Sequence, residues 1–256
     1  MKPVEMCKFA GTCLKAGTES CNNLCYPFVF LHGTQGDTGI WKTRNVPKKY
    51  DNCWMHNIPI KESNPKAFSV IEKYCGSVVD YVVEKGVGLF LYSIPNAENR
   101  FGTGTGKTTS AITIQNHFTL EASREYLRGN MKFEYNPSLF VKASELQNKY
   151  NEQFRGTPEM QKEASEKFYH LKDKMKKVPL LILDDIAIRE LTQAFENELY
   201  EVIDTRATNE LATIFTSNLA ITELGNMIGD RIASRIDGMT VKVAFQGKDF
   251  RKGGLF

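Results

Sequence analysis

Gly102-Thr103-Gly104-Thr105-Gly106-Lys107-Thr108-Thr109 is the stretch on which the fold of this chain turns. Alternating glycines let successive backbone N–H groups face a phosphate with no Cβ in the way. Lys107 reaches the β- and γ-phosphates as a cation, and the Thr108 hydroxyl takes a place on Mg²⁺. Thr109 to Phe118 reads as helix, so the phosphates also sit on a helix N-terminus. Gly102, Thr103, Gly104, Thr105, Gly106, Lys107, Thr108 and Thr109 are therefore the expected nucleotide ligands, with ATP and Mg²⁺ the expected cofactors. The usual spacing places a glycine where this chain has Phe101, and Ser93 to Arg100 lengthens the approach from the preceding strand. The entrance to the loop is reshaped, whereas its Gly106-Lys107-Thr108 end is intact.

Further along, Pro179-Leu180-Leu181-Ile182-Leu183-Asp184-Asp185 is a short apolar run that ends in two carboxylates. Such a run suits a strand buried on both faces of a parallel sheet, with the acids at its C-terminal edge. Open α/β sheets bind their ligands at that edge. Asp184 is the expected magnesium partner of Thr108, and Asp185 is placed to polarise the water that attacks the γ-phosphate. Many buried strands end in a solvated acid; the pairing with the glycine loop gives this one its meaning.

Outward from these two elements the pattern alternates. A helix is expected from Asn64-Pro65 to Gly86, with Phe68, Ile71, Tyr74, Cys75, Val78, Val79 and Val82 on one face. Strands follow at Gly88–Tyr92, Ser138–Lys142, Ala212–Asn218 and Thr240–Phe245. Helices are expected at Ala143–Phe154, Thr157–Lys177, Ile188–Thr205 and Leu224–Ile236. Alternating strands and helices imply a parallel sheet covered on both faces.

The chain has 256 residues, 41% hydrophobic and 25% charged, with a net charge of +3. This is the composition of a globular protein, and the charge is too small to argue for nucleic acid by itself. Six lysines between Lys162 and Lys177 alternate with Glu163, Glu166 and Asp173, the pattern of a solvated helix face. No apolar run approaches the roughly 20 residues that span a bilayer. Residues 1–7 lack the apolar core of a signal peptide, so the expected location is the cytoplasm.

Composition divides the chain near residue 60, into a module over 1–60 and a nucleotide-binding domain over 61–256. Four of the six cysteines fall in the first 25 residues, a clustering that suggests metal more than disulfides. Cys7, Cys13, Cys21 and Cys25 could hold a structural Zn²⁺, with His32 able to replace one of them, Cys13 first. The spacings are looser than the usual paired arrangement, and reduced, unligated thiols are the alternative. Cys53 and Cys75 read as core thiols.

Four features now occur in order: the phosphate loop, the Leu183-Asp184-Asp185 strand end, Thr216-Ser217-Asn218 closing the next strand, and Gly229-Asp230-Arg231-Ile232-Ala233-Ser234-Arg235. This order resembles AAA+ ATPases, most closely the bacterial and phage helicase loaders of the DnaC/DnaI type, over roughly residues 46–250. The resemblance implies an α/β fold: a parallel-sheet phosphate-loop core with helices on both faces, a small cysteine-rich N-terminal module and no helical lid. It implies that Asn218 orients the attacking water and that Arg235, with Arg231 one turn before it, reaches a neighbouring subunit's site as an arginine finger. Activity then needs a homo-oligomer. Tyr50 becomes a candidate contact for the base. The region Ala143 to Arg155 becomes the candidate contact for single-stranded DNA, through Lys142, Lys149 and Arg155 on phosphates and Tyr150 and Phe154 on bases. The partners implied are a replicative DNA helicase, gripped by the N-terminal module, and single-stranded DNA, with no membrane. The location is the host cytoplasm if a phage encodes the chain. Two rival functions share these residues: a transposition helper ATPase, and a zinc-stabilised adaptor that binds nucleotide without hydrolysing it.

Overall fold

Every residue of the strand Leu180–Asp184 is buried, and the strands beside it alternate their side chains between two separate apolar layers. In the computed structural model, which describes residues 2–186 and 191–250, five parallel strands form one sheet. They are β1 (Gly88–Ser93), β2 (Ser138–Lys142), β3 (Leu180–Asp184), β4 (Thr213–Ser217) and β5 (Thr240–Phe245), in the order β2-β3-β4-β1-β5. Leu89, Leu91, Ile182 and Ile214 point into one layer, while Phe90, Leu181, Leu183 and Phe215 point into the other. This period of two, with both faces apolar, is the signature of a doubly covered parallel sheet.

The helices are α1 (Pro3–Met6), α2 (Tyr26–His32), α3 (Gly39–Thr43), α4 (Pro65–Gly76), α5 (Lys107–Leu127), α6 (Ala143–Glu152), α7 (Pro158–Lys177), α8 (Gln193–Thr208), α9 (Ile221–Ile228) and α10 (Asp230–Met239). Helices α4 and α5 cover one face through Ile71, Ile112, Ile114 and Phe118. Helices α6 to α10 cover the other through Leu146, Phe168, Phe195, Leu224 and Ile232. Each fully buried aliphatic or aromatic side chain contributes about 1.5–3 kcal/mol, so these two layers dominate the stability of the fold. No helix among the described residues is long and apolar enough to cross a membrane.

Several expected helices differ from those observed, and the one expected over Thr109–Phe118 runs from Lys107 to Leu127. The stretch expected to run from Asn64 to Gly86 breaks after Gly76, where Ser77 leaves helical geometry, and resumes as one wide turn over Asp80–Glu84. The helix expected over Leu224–Ile236 is two helices, parted at Gly229 with φ 89°. The helix expected from Ile188 begins at Gln193, capped by the Thr192 hydroxyl, which accepts from the Phe195 N–H at 3.4 Å. Its first expected residues, 188–190, lie outside the described residues.

Helix α5 carries an unusual load of buried polar side chains: Ser110, Thr113, Gln115, Asn116, Thr119 and Ser123. Two of them, Gln115 and Asn116, meet the chain before α4, while Ser110, Thr113 and Thr119 bond to carbonyls one turn back. The Asn116 amide donates to the Cys53 carbonyl at 2.9 Å, and Gln115 donates to the Arg44 carbonyl at 3.2 Å. Arg44, itself buried, is paired with Asp51 at 2.5 Å and lies over the Trp41 ring. Ile58 and Ile60 join the α4–α5 core. Contacts therefore cross position 60, where composition changes.

Arg206 fastens the far end of the sheet. Its side chain is wholly buried and donates to the carbonyls of Met175, Val178, Pro179 and Ala212 and to the Thr213 hydroxyl. Burial pushes its pKa down to about 9. Helix α7, β3 and β4 thus share one guanidinium as their common donor, and it meets the carbonyls left over at the end of α7.

Candidate nucleotide site

Strand β1 ends at Ser93, and the loop that follows returns to the sheet edge at Gly102. Gly102 has φ 59° and lies so close to Ser93 that a Cβ there would meet the Ser93 Cβ at 2.5 Å. Gly106, at φ 98°, caps α5 with Ile60 packed against it. Both positions need the left-handed backbone and the missing side chain. Phe101, the residue at the position where a glycine is usual, is 78% exposed. The turn toward α5 is made by the glycines that follow it.

Lys107 is 5% exposed. Its ammonium donates to Ser93 Oγ at 2.5 Å, to the Gly102 carbonyl at 3.0 Å and to Asn218 Oδ1 at 2.8 Å. One cation therefore ties together the ends of β1 and β4 and the phosphate loop. The Thr108 hydroxyl donates to Asp184 Oδ1 at 2.8 Å, and the Thr216 hydroxyl donates to the same oxygen at 2.7 Å. Thr216 Oγ1 also accepts the Asp185 N–H at 2.9 Å. Asp185 sits at φ 58°, a left-handed conformation uncommon for a residue with a side chain. That turn brings Asp185 into the cavity while Asp184 stays 4% exposed beneath it.

Burial raises the Asp184 pKa to about 6, with the Asp185 charge adding to it. The Thr216 and Thr108 hydroxyls and the Lys142 charge oppose this. A hydroxyl and a carboxylate in contact, beside a second carboxylate, form a set of hard oxygen donors short of positive charge, which fits Mg²⁺. Thr108 and Asp184 would hold the ion, which would neutralise charge on a bound polyphosphate.

A cavity of about 530 Å³ is lined by Thr103 to Thr109, Asp185 and Asn218, and by Lys49, Tyr50, Pro59 and Phe250. The structure therefore brings together Tyr50, Thr103 to Thr109, Asp185 and Asn218, with Asp184 bonded to Thr108 beneath them, whereas Gly102 lies outside the lining and its carbonyl accepts from Lys107. Ser93 and Thr216 do not stand out from the sequence as ligands. Each is a buried polar residue at or near the end of an apolar strand, and that is the signal available for them.

Arg231 and Arg235 line neither this cavity nor the adjoining cleft around Lys142 and Asp184. Both face α8: Arg231 lies over the Tyr200 ring at 4.1 Å, and Arg235 pairs with Asp204 at 2.8 Å. Tyr150 does not stand out as a base-stacking residue, because its ring packs among Phe154, Phe168 and Phe195 at 5.4 Å each. Phe154 is 65% exposed. Lys149 lines a different cleft with Lys167, Lys174 and Tyr135.

Cys7, Cys13, Cys21 and Cys25 line one cavity of about 30 Å³. Burial, with smaller contributions from the other three thiols, raises the Cys7 pKa. Among the described residues no three or more His, Cys, Asp or Glu side chains stand in a metal-holding arrangement. The thiols share a space without closing a coordination sphere. His32 is not one of the set: buried, it accepts the Lys8 N–H on Nε2 at 3.2 Å and packs on Phe28 and Trp41. Desolvation, then the Lys8 charge, pushes its pKa down to about 4. Cys53 and Cys75 pack against the α4–α5 core, as expected.

A family model of IstB-like ATP-binding proteins matches residues 158–248. Among solved structures, the DnaC helicase loader aligns over 78% of this chain and 99% of its own, with a TM-score of 0.54 and 18% identity. A protein of Streptococcus pyogenes serotype M3, described as a candidate primosome component, aligns over 82% of this chain and 96% of its own (TM-score 0.55, 21% identity). A replication initiator DnaA bound to AMPPCP and single-stranded DNA aligns over 78% of this chain and 51% of its own (TM-score 0.51, 18% identity). No curated protein matches by sequence. The chain is thus similar in sequence to IstB-like ATP-binding proteins over residues 158–248, and it shares its fold with the DnaC helicase loader.

Proposed function

We propose that this protein hydrolyses ATP and loads a replicative DNA helicase onto single-stranded DNA. The observation that carries the reading is the convergence of Lys107, Thr108, Asp184, Asp185 and Asn218 at one sheet edge. Positioning and electrostatics are what phosphoryl transfer asks of a protein, and these residues are the groups for it. Lys107 holds the β- and γ-phosphates. Asp185 orients the attacking water and takes its proton, and Asn218, which already meets the lysine, orients water near the γ-phosphate. The identities of the neighbours, a helicase loader and an initiator on single-stranded DNA, favour the replicative client over a transposase.

Arg235 belongs in a neighbouring subunit's site in this reading, with Arg231 beside it. It lines neither cleft of its own site and is held at the surface by Asp204 and the Tyr200 hydroxyl, partners exposed enough that release costs little. ATP would then favour the assembled form, in the cytoplasm of the bacterium or of a phage's host. Lys142, Lys149, Arg155 and Phe154 are the proposed DNA contacts. The segment over 1–60 is the proposed helicase grip, stabilised by Zn²⁺ on Cys7, Cys13, Cys21 and Cys25. Their shared cavity supports that set. One zinc per chain by metal analysis is expected, and a protein folded and metal-free after mild purification would remove the zinc.

The deciding experiment is steady-state ATP hydrolysis with and without single-stranded DNA, beside Lys107→Ala. Turnover stimulated by DNA and lost in the variant is expected. Binding without turnover, and an Asp185→Asn protein as active in helicase loading as the original, would instead point to the non-hydrolysing adaptor.

A further inference from the structure

The segment that follows β5 runs against the phosphate loop and reaches the nucleotide cavity at Phe250. It leaves the sheet at Phe245, whose carbonyl accepts the Ile94 N–H at 2.8 Å, and is pinned from there onward on three sides. Asn64, just before α4, exchanges two hydrogen bonds with the Gln246 backbone, at 2.7 and 2.9 Å. Asn99, in the loop leading to the glycines, donates to the Gly247 carbonyl at 3.1 Å and to the Thr103 carbonyl at 2.7 Å. The phosphate loop supplies the third side. The Thr103 hydroxyl donates to Asp249 Oδ2, and the Phe250 N–H donates to the Gly104 carbonyl, both at 3.1 Å. Asp249 lies so directly over Gly104 that a Cβ there would collide with its carboxylate. Phe250, 41% exposed, lines the cavity.

The residues that line that cavity are of two kinds. Lys107, Asp185 and Asn218 are charged or amide groups suited to phosphate and water. Among the described lining residues, the rings are those of Tyr50, Pro59 and Phe250. A heteroaromatic base has two apolar faces and gains most from stacking on such surfaces.

Building on the nucleotide-site assignment above, we propose that Gln246–Phe250 is a strap that completes the nucleotide pocket. Phe250 contacts the base, and Asp249 latches the strap to the phosphate loop. The latch is itself an anion beside a polyphosphate site. It therefore opposes the incoming nucleotide electrostatically while it holds the base wall in place. Occupancy of the loop and closure of the strap become linked, because the same two residues, Thr103 and Gly104, take part in both.

Calorimetric titration of the full chain with ATP, and separately with inorganic tripolyphosphate, tests this. Phe250→Ala should weaken ATP roughly tenfold, the scale of losing one base–aromatic contact, and leave tripolyphosphate unchanged. Asp249→Asn keeps the hydroxyl contact and removes the charge, so it should tighten both ligands severalfold, an effect that shrinks as salt is raised. Phe250→Ala weakening both ligands alike, or neither, overturns the strap as a base wall. Asp249→Asn leaving both affinities unchanged, or weakening them, overturns the anionic latch. If the unaltered protein binds neither ligand, the nucleotide-site assignment itself falls. Melting temperatures within about a degree of the parent show that each variant is folded.

Discussion

Replacing Asp184 by Asn should stabilise the metal-free protein while abolishing its response to Mg·ATP. The carboxyl is 4% exposed, and its pKa is raised from the ordinary 3.8 to about 6 by burial and by Asp185. A raised carboxylate pKa means that the folded state binds the proton more tightly than the unfolded chain does. Stability therefore falls as pH rises from about 4 to 6, and the whole penalty is present above the folded pKa. At 1.36 kcal/mol per unit the penalty at pH 8 is about 3 kcal/mol. Asn keeps an acceptor for the Thr108 and Thr216 hydroxyls but brings two N–H donors that need partners. A net gain of about 1–2 kcal/mol is therefore expected, or about 2–8 °C in melting temperature for a chain of this size. The assay is thermal unfolding in EDTA at pH 8 and pH 5, then with Mg·ATP at pH 8. Between pH 8 and pH 5 the advantage of the variant should shrink by about 1.4 kcal/mol, as the parent carboxylate takes up its proton. Mg·ATP should raise the melting temperature of the parent and not of the variant. An Asp184→Asn protein that melts at or below the parent at pH 8 without metal, or an advantage unchanged at pH 5, would refute the reasoning.

Other perturbations separate structural from catalytic roles. Arg206→Met removes the shared donor of four carbonyls and a hydroxyl and should cost about 3–5 kcal/mol in urea unfolding; a loss below about 1 kcal/mol would mean that water replaces it. Asn218→Ala should slow single-turnover hydrolysis roughly a hundredfold, the scale for one preorganised polar group, while ATP affinity changes only severalfold. An equal loss in binding would make Asn218 merely a support for Lys107. Arg235→Ala should cost less than about 1 kcal/mol of stability, because its ion pair with Asp204 is half-exposed, yet abolish turnover. Mixing Arg235→Ala with Lys107→Ala protein should restore part of the activity, since each subunit supplies what its neighbour lacks. Mixtures as inactive as the separate variants would sink the trans arrangement.

The parts of this protein legible in the chain alone are short stretches whose chemistry is local. The glycine alternation before Lys107 and the apolar run ending at Asp184 and Asp185 each carry their function in a few consecutive residues. A short run that is apolar throughout, within a chain that alternates strands and helices, already implies a parallel sheet covered on both faces. Tyr50 and Asn218 could be set beside the loop only because four motifs in order resembled a family. Whatever depends on strands distant in sequence becoming neighbours had to come from the fold. The sheet order, with β4 between β3 and β1, brings Thr216 onto Asp184 and Asn218 onto Lys107. No local spacing encodes that order, because it follows from how helices pack on the two faces. The breaks at Ser77 and Gly229 likewise escaped a periodicity that continues across them. His32 had ligand chemistry in the sequence, yet packing turned it to the Lys8 backbone and away from the thiols. The polar face of α5 becomes intelligible once residues 41–60 lie against it, and Asp249 and Phe250 acquire a role only where the chain after β5 returns to the loop opened by Gly102. Short-range pattern fixes which groups are available. Long-range packing fixes which of them meet, because each such meeting is a loop closure whose entropy only the assembled core can offset.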